Sequence, residues 1–130
     1  MEKVDPVERR AYCRVSIDMD IEVCHIQDEG QSFDLSVILC RGRDVSGGGI
    51  SFYGHIRYTN ESLLRLQIPL STKESTSRTD GVRLLKVLGK VMWCKKNIDT
   101  NSYVTGVQFL NIYEQDFKIL VDYVHGCLSV

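Results

Sequence analysis

The run Cys40-Arg41-Gly42-Arg43-Asp44-Val45-Ser46-Gly47-Gly48-Gly49-Ile50 decides how this chain is read. It joins two strand-like segments through consecutive glycines, which let the backbone take positive φ and let another molecule come close. Asp44 and Ser46 stand two residues apart and share one face if strand geometry holds between them. Arg41 and Arg43 lie just upstream, and Arg9, Arg10 and Arg14 add guanidinium groups from the N-terminal segment.

Working outward, the flanking sequence alternates with the period of half-buried strands. Val15, Ile17, Met19, Ile21 and Val23 interleave with Ser16, Asp18, Asp20 and Glu22. After a turn at residues 27–32, Phe33, Leu35, Val37 and Leu39 repeat the pattern as inward residues. Extending that phase puts Asp44 and Ser46 on the outer face. Ile50 and Phe52 follow as inward residues of a short strand, and Leu64, Leu66, Ile68 and Leu70 form the next. Pro69 marks that strand as ending or lying at an edge.

Residues 71–83 read as a polar loop. Two further strands are expected over residues 84–95, with Gly89 as a bulge, and over residues 103–110, with Trp93 and Phe109 in the core. The last segment is helical: Asn111 and Glu114 have capping-box spacing, Phe117, Leu120, Val121 and Val124 form a stripe, and Gly126 can stop it. The expected architecture is all-β dominated. It comprises a flexible arginine-bearing arm (1–14), a six-stranded antiparallel β-barrel (15–110) and a C-terminal α-helix (111–126), in one domain.

The bulk properties narrow the function. A chain of 130 residues, 43% hydrophobic and 25% charged, is large enough for one real core. A net charge of -1 argues against a general polyanion binder, so any anion site is local. The 5 cysteines are scattered and odd in number, which favours reduced thiols and a cytoplasmic setting. No apolar run approaches a membrane span, and the charged N-terminus lacks a signal-peptide core.

Catalytic and metal motifs fail on inspection. Gly42 and Gly47 have phosphate-loop spacing, but Gly48 and Gly49 stand where Lys and Ser or Thr are needed. Ser46 has Asp44 rather than Gly two residues before it, so it is no nucleophile elbow. His25, His55 and His125 form no ligand-spaced set with each other or with the cysteines. No enzyme and no cofactor are expected. What remains is a carboxylate, a hydroxyl, bare backbone and guanidinium groups, a set that suits a guanine base attached to phosphate. Arginine forks grip phosphate bidentately and also match guanine O6 and N7. Asp44 can accept from guanine N1–H and N2–H₂, a donor pair that adenine lacks, while Ser46 adds a hydroxyl. Gly47, Gly48 and Gly49 keep side chains out of the way. Tyr12 could stack on a base or on the barrel wall.

Taken together, these residues resemble the PilZ domain family. Arg10 and Arg14 match its RxxxR motif, and Asp44, Ser46 and Gly49 match its DxSxxG motif, in the family's order and spacing. Gly89-Lys90-Val91-Met92-Trp93, Gly106-Val107-Gln108-Phe109 and the closing helix also look like PilZ. The resemblance implies a six-stranded barrel that acts as a bacterial receptor for the second messenger cyclic di-GMP. Arg10 and Arg14 would hold phosphate and guanine, and Asp44 and Ser46 the guanine edge. Arg9 occupies a position thought to influence whether one or two stacked nucleotides bind, and an arginine there leans towards two. The implied mechanism is an arm that orders over the barrel on binding and creates a surface for an unidentified protein effector. No nucleic-acid polymer and no membrane insertion are expected. The alternatives are a nucleotide-independent protein-interaction module and a small barrel binding single-stranded nucleic acid.

Overall fold

Leu64, Leu66, Ile68 and Leu70 are all fully buried, and the strand they define is the wall against which the core closes. The computed structural model describes residues 14–26, 37–72 and 81–128. The strands are β1 (Val15–Ser16), β2 (Asp20–Ile26), β3 (Val37–Val45), β4 (Gly49–Gly54), β5 (Leu63–Thr72), β6 (Gly81–Asn97) and β7 (Ser102–Asn111), followed by helix α1 (Glu114–Leu128). Each strand pairs antiparallel with its neighbours in the order β3-β2-β5-β6-β7-β4, and β4 pairs back onto β3. The ring is therefore a closed six-stranded barrel, as expected.

β1 and β2 were one strand in the sequence pattern and are nearly so in the structure. Ser16 pairs with Asp44 and Asp20 with Arg41, so Ile17, Asp18 and Met19 face only Gly42 and Arg43. The chain keeps contact across this irregularity: Ile17 N–H donates to the Arg43 carbonyl at 3.0 Å, and Gly42 N–H to that of Met19 at 2.8 Å. Gly42 makes room for it, since a Cβ there would lie 2.5 Å from Ile17 Cδ1.

The expected phase of β3 is reversed. Val37 and Leu39 are 58% and 66% exposed, while Cys40 is buried and faces inward. The run Val37-Ile38-Leu39-Cys40 is apolar in both phases, so alternation there does not choose a face. What chooses is Arg41, which the expected phase would have turned into the core and which the structure places outside. A bulge between Gly42 and Asp44 then resets the phase, so Val45 is fully buried and Asp44 still faces outward.

Other boundaries shift for similar reasons. β5 and β6 extend to Thr72 and from Gly81, into the expected loop, because their ladder continues through Thr72 and Gly81. β2 pairs with β5 only as far as Gln67, so Pro69 has a strand partner on one side alone, consistent with its missing N–H. Gly89 marks a register shift against β7, as expected.

The helix starts at Glu114, not at residue 111. Asn111 pairs with Leu88 as part of β7, and Phe117 N–H donates to the Tyr113 carbonyl at 2.8 Å, so the expected Asn111–Glu114 box does not form. Nor does Gly126 stop the helix, which runs to Leu128. Leu120 and Val124 are buried in the core cluster, and α1 packs on β5 and β1. The turn at 27–32, Phe33, Leu35, the loop centre at 73–80, and the arm with Arg9, Arg10 and Tyr12 lie outside the described residues.

Candidate ligand-binding site

The bulge in β3 turns two successive side chains, Arg43 and Asp44, towards the same outer surface. Their proximity follows: Arg43 Nη1 lies 3.9 Å from Asp44 Oδ2. From the other side Arg14 Nη1 donates to Asp44 Oδ1 at 2.8 Å. The pairing of β1 with β3 delivers it there, because Val15 and Ser16 sit opposite Val45 and Asp44. Residues 30 positions apart thus form one charged cluster, with the carboxylate only 21% exposed and Arg14 56% exposed.

Beyond Asp44 the register lays out a row across the outer wall. Asp44 pairs with Ser51, Ser51 with Gly106, and Gly106 with Trp93. The Trp93 indole lies flat across Gly106, where a Cβ would fall 2.2 Å from the ring. Trp93 was expected in the core. It is instead half-buried on the outside, because the register shift between Val91 and Trp93 turns it outward. Phe109 is in the core, as expected. Next to the row an open groove of about 590 Å³ is lined by Arg43, Tyr53, Trp93, Lys95, Lys96 and Val104, among others. Its volume falls in the range of small-molecule sites. Lys95 Nζ stands 5.6 Å from the Trp93 ring centroid, over its face.

The glycine run plays a more structural part than expected. Ser46 N–H donates to the Gly49 carbonyl at 2.9 Å, leaving Gly47 and Gly48 as a two-residue hairpin loop, the kind whose favoured turns need positive φ. Ser46, expected on the outer face, is covered rather than open to solvent. It is buried, and its hydroxyl accepts from Gly48 N–H at 3.2 Å. Gly49 is needed by the barrel itself, since a Cβ there would lie 2.2 Å from the Val107 carbonyl oxygen. Gly48 ties the turn to β7 by accepting from Phe109 N–H at 3.0 Å.

Arg41 is occupied elsewhere. Its guanidinium holds Asp20 and Asp18, and those hydrogen bonds, Asp20's first, raise its pKa further. The sequence reading did not single out Tyr53, Lys95 or Ser51, and it assigned Trp93 to the core rather than to the outer wall. They come from two strands, β4 and β6, which only the register through β7 brings together, and the one sequence signal was the Gly106 and Trp93 pair that lets a ring lie against backbone. Among the described residues no group of His, Cys, Asp and Glu is arranged to hold a metal ion, and no helix is long and apolar enough to cross a membrane.

Fold and site together define a class: a closed antiparallel barrel with a cationic, aromatic recess on its outer wall beside the Arg14–Asp44 pair. The profile of the PilZ domain matches residues 8–126, and the chain belongs to that family. The structure is similar to that of the Bacillus subtilis inhibitor of motility, MotI/DgrA, with TM-score 0.71 and 18% identity over 93% of this chain and 52% of that one. It is similar to the PilZ domain of Escherichia coli YcgR, solved with c-di-GMP, with TM-score 0.60 and 13% identity over 93% and 92% of the two chains. The K. pneumonia MrkH–c-di-GMP complex gives TM-score 0.61 and 13% identity over 93% and 52%. The chain therefore spans about half the length of MotI/DgrA and of MrkH, at 52% each. No curated protein matches it.

Proposed function

We propose that this chain is a receptor for cyclic di-GMP. The observation that carries the reading is the 2.8 Å contact between Arg14 and Asp44, which joins the two family motifs at one point on the barrel wall. Guanine offers Asp44 a pair of N–H donors where Arg14 now supplies one, so the base can replace the guanidinium on the carboxylate. The released Arg14 fork then turns to phosphate, the charge it matches best. The groove beside it adds the Trp93 face for stacking once Lys95 swings off it, and Arg43, Lys95 and Lys96 supply further positive charge for the second phosphate. Ser46 and Gly47, Gly48 and Gly49 hold the turn that aims Asp44.

Arg9 and Arg10 complete the site by closing down with the N-terminal arm, and the ordered arm presents a surface to a protein effector. The ordering costs conformational entropy, which lowers affinity below what the contacts alone would give. Arg9 favours two stacked nucleotides per chain. MrkH and YcgR, whose solved complexes hold c-di-GMP, share the fold and support the ligand class.

Titration calorimetry with cyclic di-GMP, linear pGpG, GTP and a short RNA tests the reading. Selective binding of the cyclic compound, with a stoichiometry of two nucleotides per chain, is expected. The Arg14–Asp44 pair is already closed without ligand, which is also what a nucleotide-independent interaction module would keep. Silence with all four ligands would favour that module.

A further inference from the structure

One hydroxyl in the outer row has nothing to bond. Ser51 is 1% exposed, and its Oγ has no hydrogen-bond partner among the described residues. It belongs to the outward phase of β4, because Ile50 and Phe52 on either side are buried in the core. Its cross-strand neighbours are Asp44 on β3 and Gly106 on β7, the latter with the Trp93 indole across it. Buried hydroxyls are almost always bonded, because leaving one unpaired is costly. Alanine would fill this position equally well and without that cost, so small size alone does not account for a serine here.

We infer that Ser51, which lies outside both motifs, is a specificity residue for the base that Asp44 receives. This rests on the receptor reading above. Directly opposed residues on adjacent strands hold their Cβ atoms about 5 Å apart, so a base edge seated on Asp44 arrives within reach of Ser51. The guanine exocyclic amine carries two hydrogens. Asp44 takes one of them together with N1–H, and Ser51 Oγ accepts the other. Binding must also uncover Ser51, which is 1% exposed without ligand. The position therefore reads the amine itself, the group that separates guanine from hypoxanthine.

The test compares the wild-type chain with Ser51→Ala, each titrated with cyclic di-GMP and with cyclic di-IMP, which lacks the amine. In Ser51→Ala, affinity for cyclic di-GMP should fall about five- to ten-fold, the worth of one neutral hydrogen bond. Affinity for cyclic di-IMP should be unchanged, so the preference between them narrows by that factor. Without ligand, Ser51→Ala should melt at the same temperature as wild type or higher, since an unpaired hydroxyl is removed. Equal loss with both nucleotides, no loss with either, or a lower melting temperature would each overturn the inference while leaving the receptor reading intact. If wild type binds neither nucleotide, the receptor reading falls, and this inference with it.

Discussion

Asp44 is held by Arg14 at 2.8 Å and approached by Arg43 at 3.9 Å, yet that arrangement does little for stability. An ion pair with one partner more than half exposed is worth about 0–1 kcal/mol, because solvent screens it. Asp44→Asn should therefore leave the thermal midpoint within a few degrees of wild type. The same change should weaken cyclic di-GMP binding by about 1–3 kcal/mol or more, the scale of a lost charged hydrogen bond. Arg14→Lys should not restore the binding that Arg14→Ala loses, because an ammonium cannot present the planar fork. A parallel melting and calorimetry series checks both, and a lysine variant with wild-type affinity would contradict the fork geometry. Arg14 and Asp44 were legible in the sequence because each sits in a short local motif. The burial of Ser46 was not legible, because the glycine turn that bonds its hydroxyl lies beyond the strand pattern. Ser51 and Trp93 were not legible, since strand register alone makes them neighbours.

At the scale of elements, irregularities in the ladders do the positioning. The bulge at Arg43 turns Asp44 outward, and the shift before Trp93 turns its ring outward over Gly106. The two errors in reading β3, a reversed phase and an unseen bulge, cancel at Asp44 and so left its face correctly assigned. The glycines rank accordingly. Gly49→Ala forces a Cβ to 2.2 Å from the Val107 carbonyl oxygen, which is backbone and cannot turn aside. Gly106→Ala meets the Trp93 side chain first, and a half-buried ring can move. Gly49→Ala should cost about 3 kcal/mol or more and Gly106→Ala about 1–2 kcal/mol, on the scale of overpacking. Denaturant titrations check the order, and Gly106→Ala should additionally change the Trp93 fluorescence. The inward face of β5 was legible because its alternation is strict and its inward residues are entirely leucine and isoleucine.

For the molecule as a whole, closure of the ring buries two ionisable groups that bear on its pH range. Burial pushes the Cys40 thiol from 9.0 up to about 11. Burial, then charge at Cys40, Cys94 and Cys24, pushes the Tyr58 hydroxyl from 10.0 up to about 12. Both groups lose their protons more readily in the unfolded chain, so the unfolded state binds fewer protons as pH rises. Their contribution to stability is thus intact below pH 9.0 and is lost as pH climbs towards about 11 and beyond. Urea midpoints measured from pH 8 upward should be flat and then fall, and Cys40→Ala should make the fall shallower. A flat profile through pH 11 would show that neither group is held as described.

Barrel class, strand count and helix were legible in the whole chain because a closed sheet needs alternation in nearly every strand. The exact ends of β5, β6 and α1 were not, because ladder pairing overrode the local loop and cap signals. The central claim is that the outer row from Asp44 to Trp93 receives the nucleotide. Titrating ¹⁵N-labelled protein with cyclic di-GMP, and following backbone amides together with the Trp93 indole N–H, tests it most directly. The account predicts saturable shifts at Asp44, Ser51, Gly106 and the Trp93 indole, with the buried face of α1 at Leu120 and Val124 unmoved. Shifts confined to other faces of the barrel, or none at ligand excess, would contradict it.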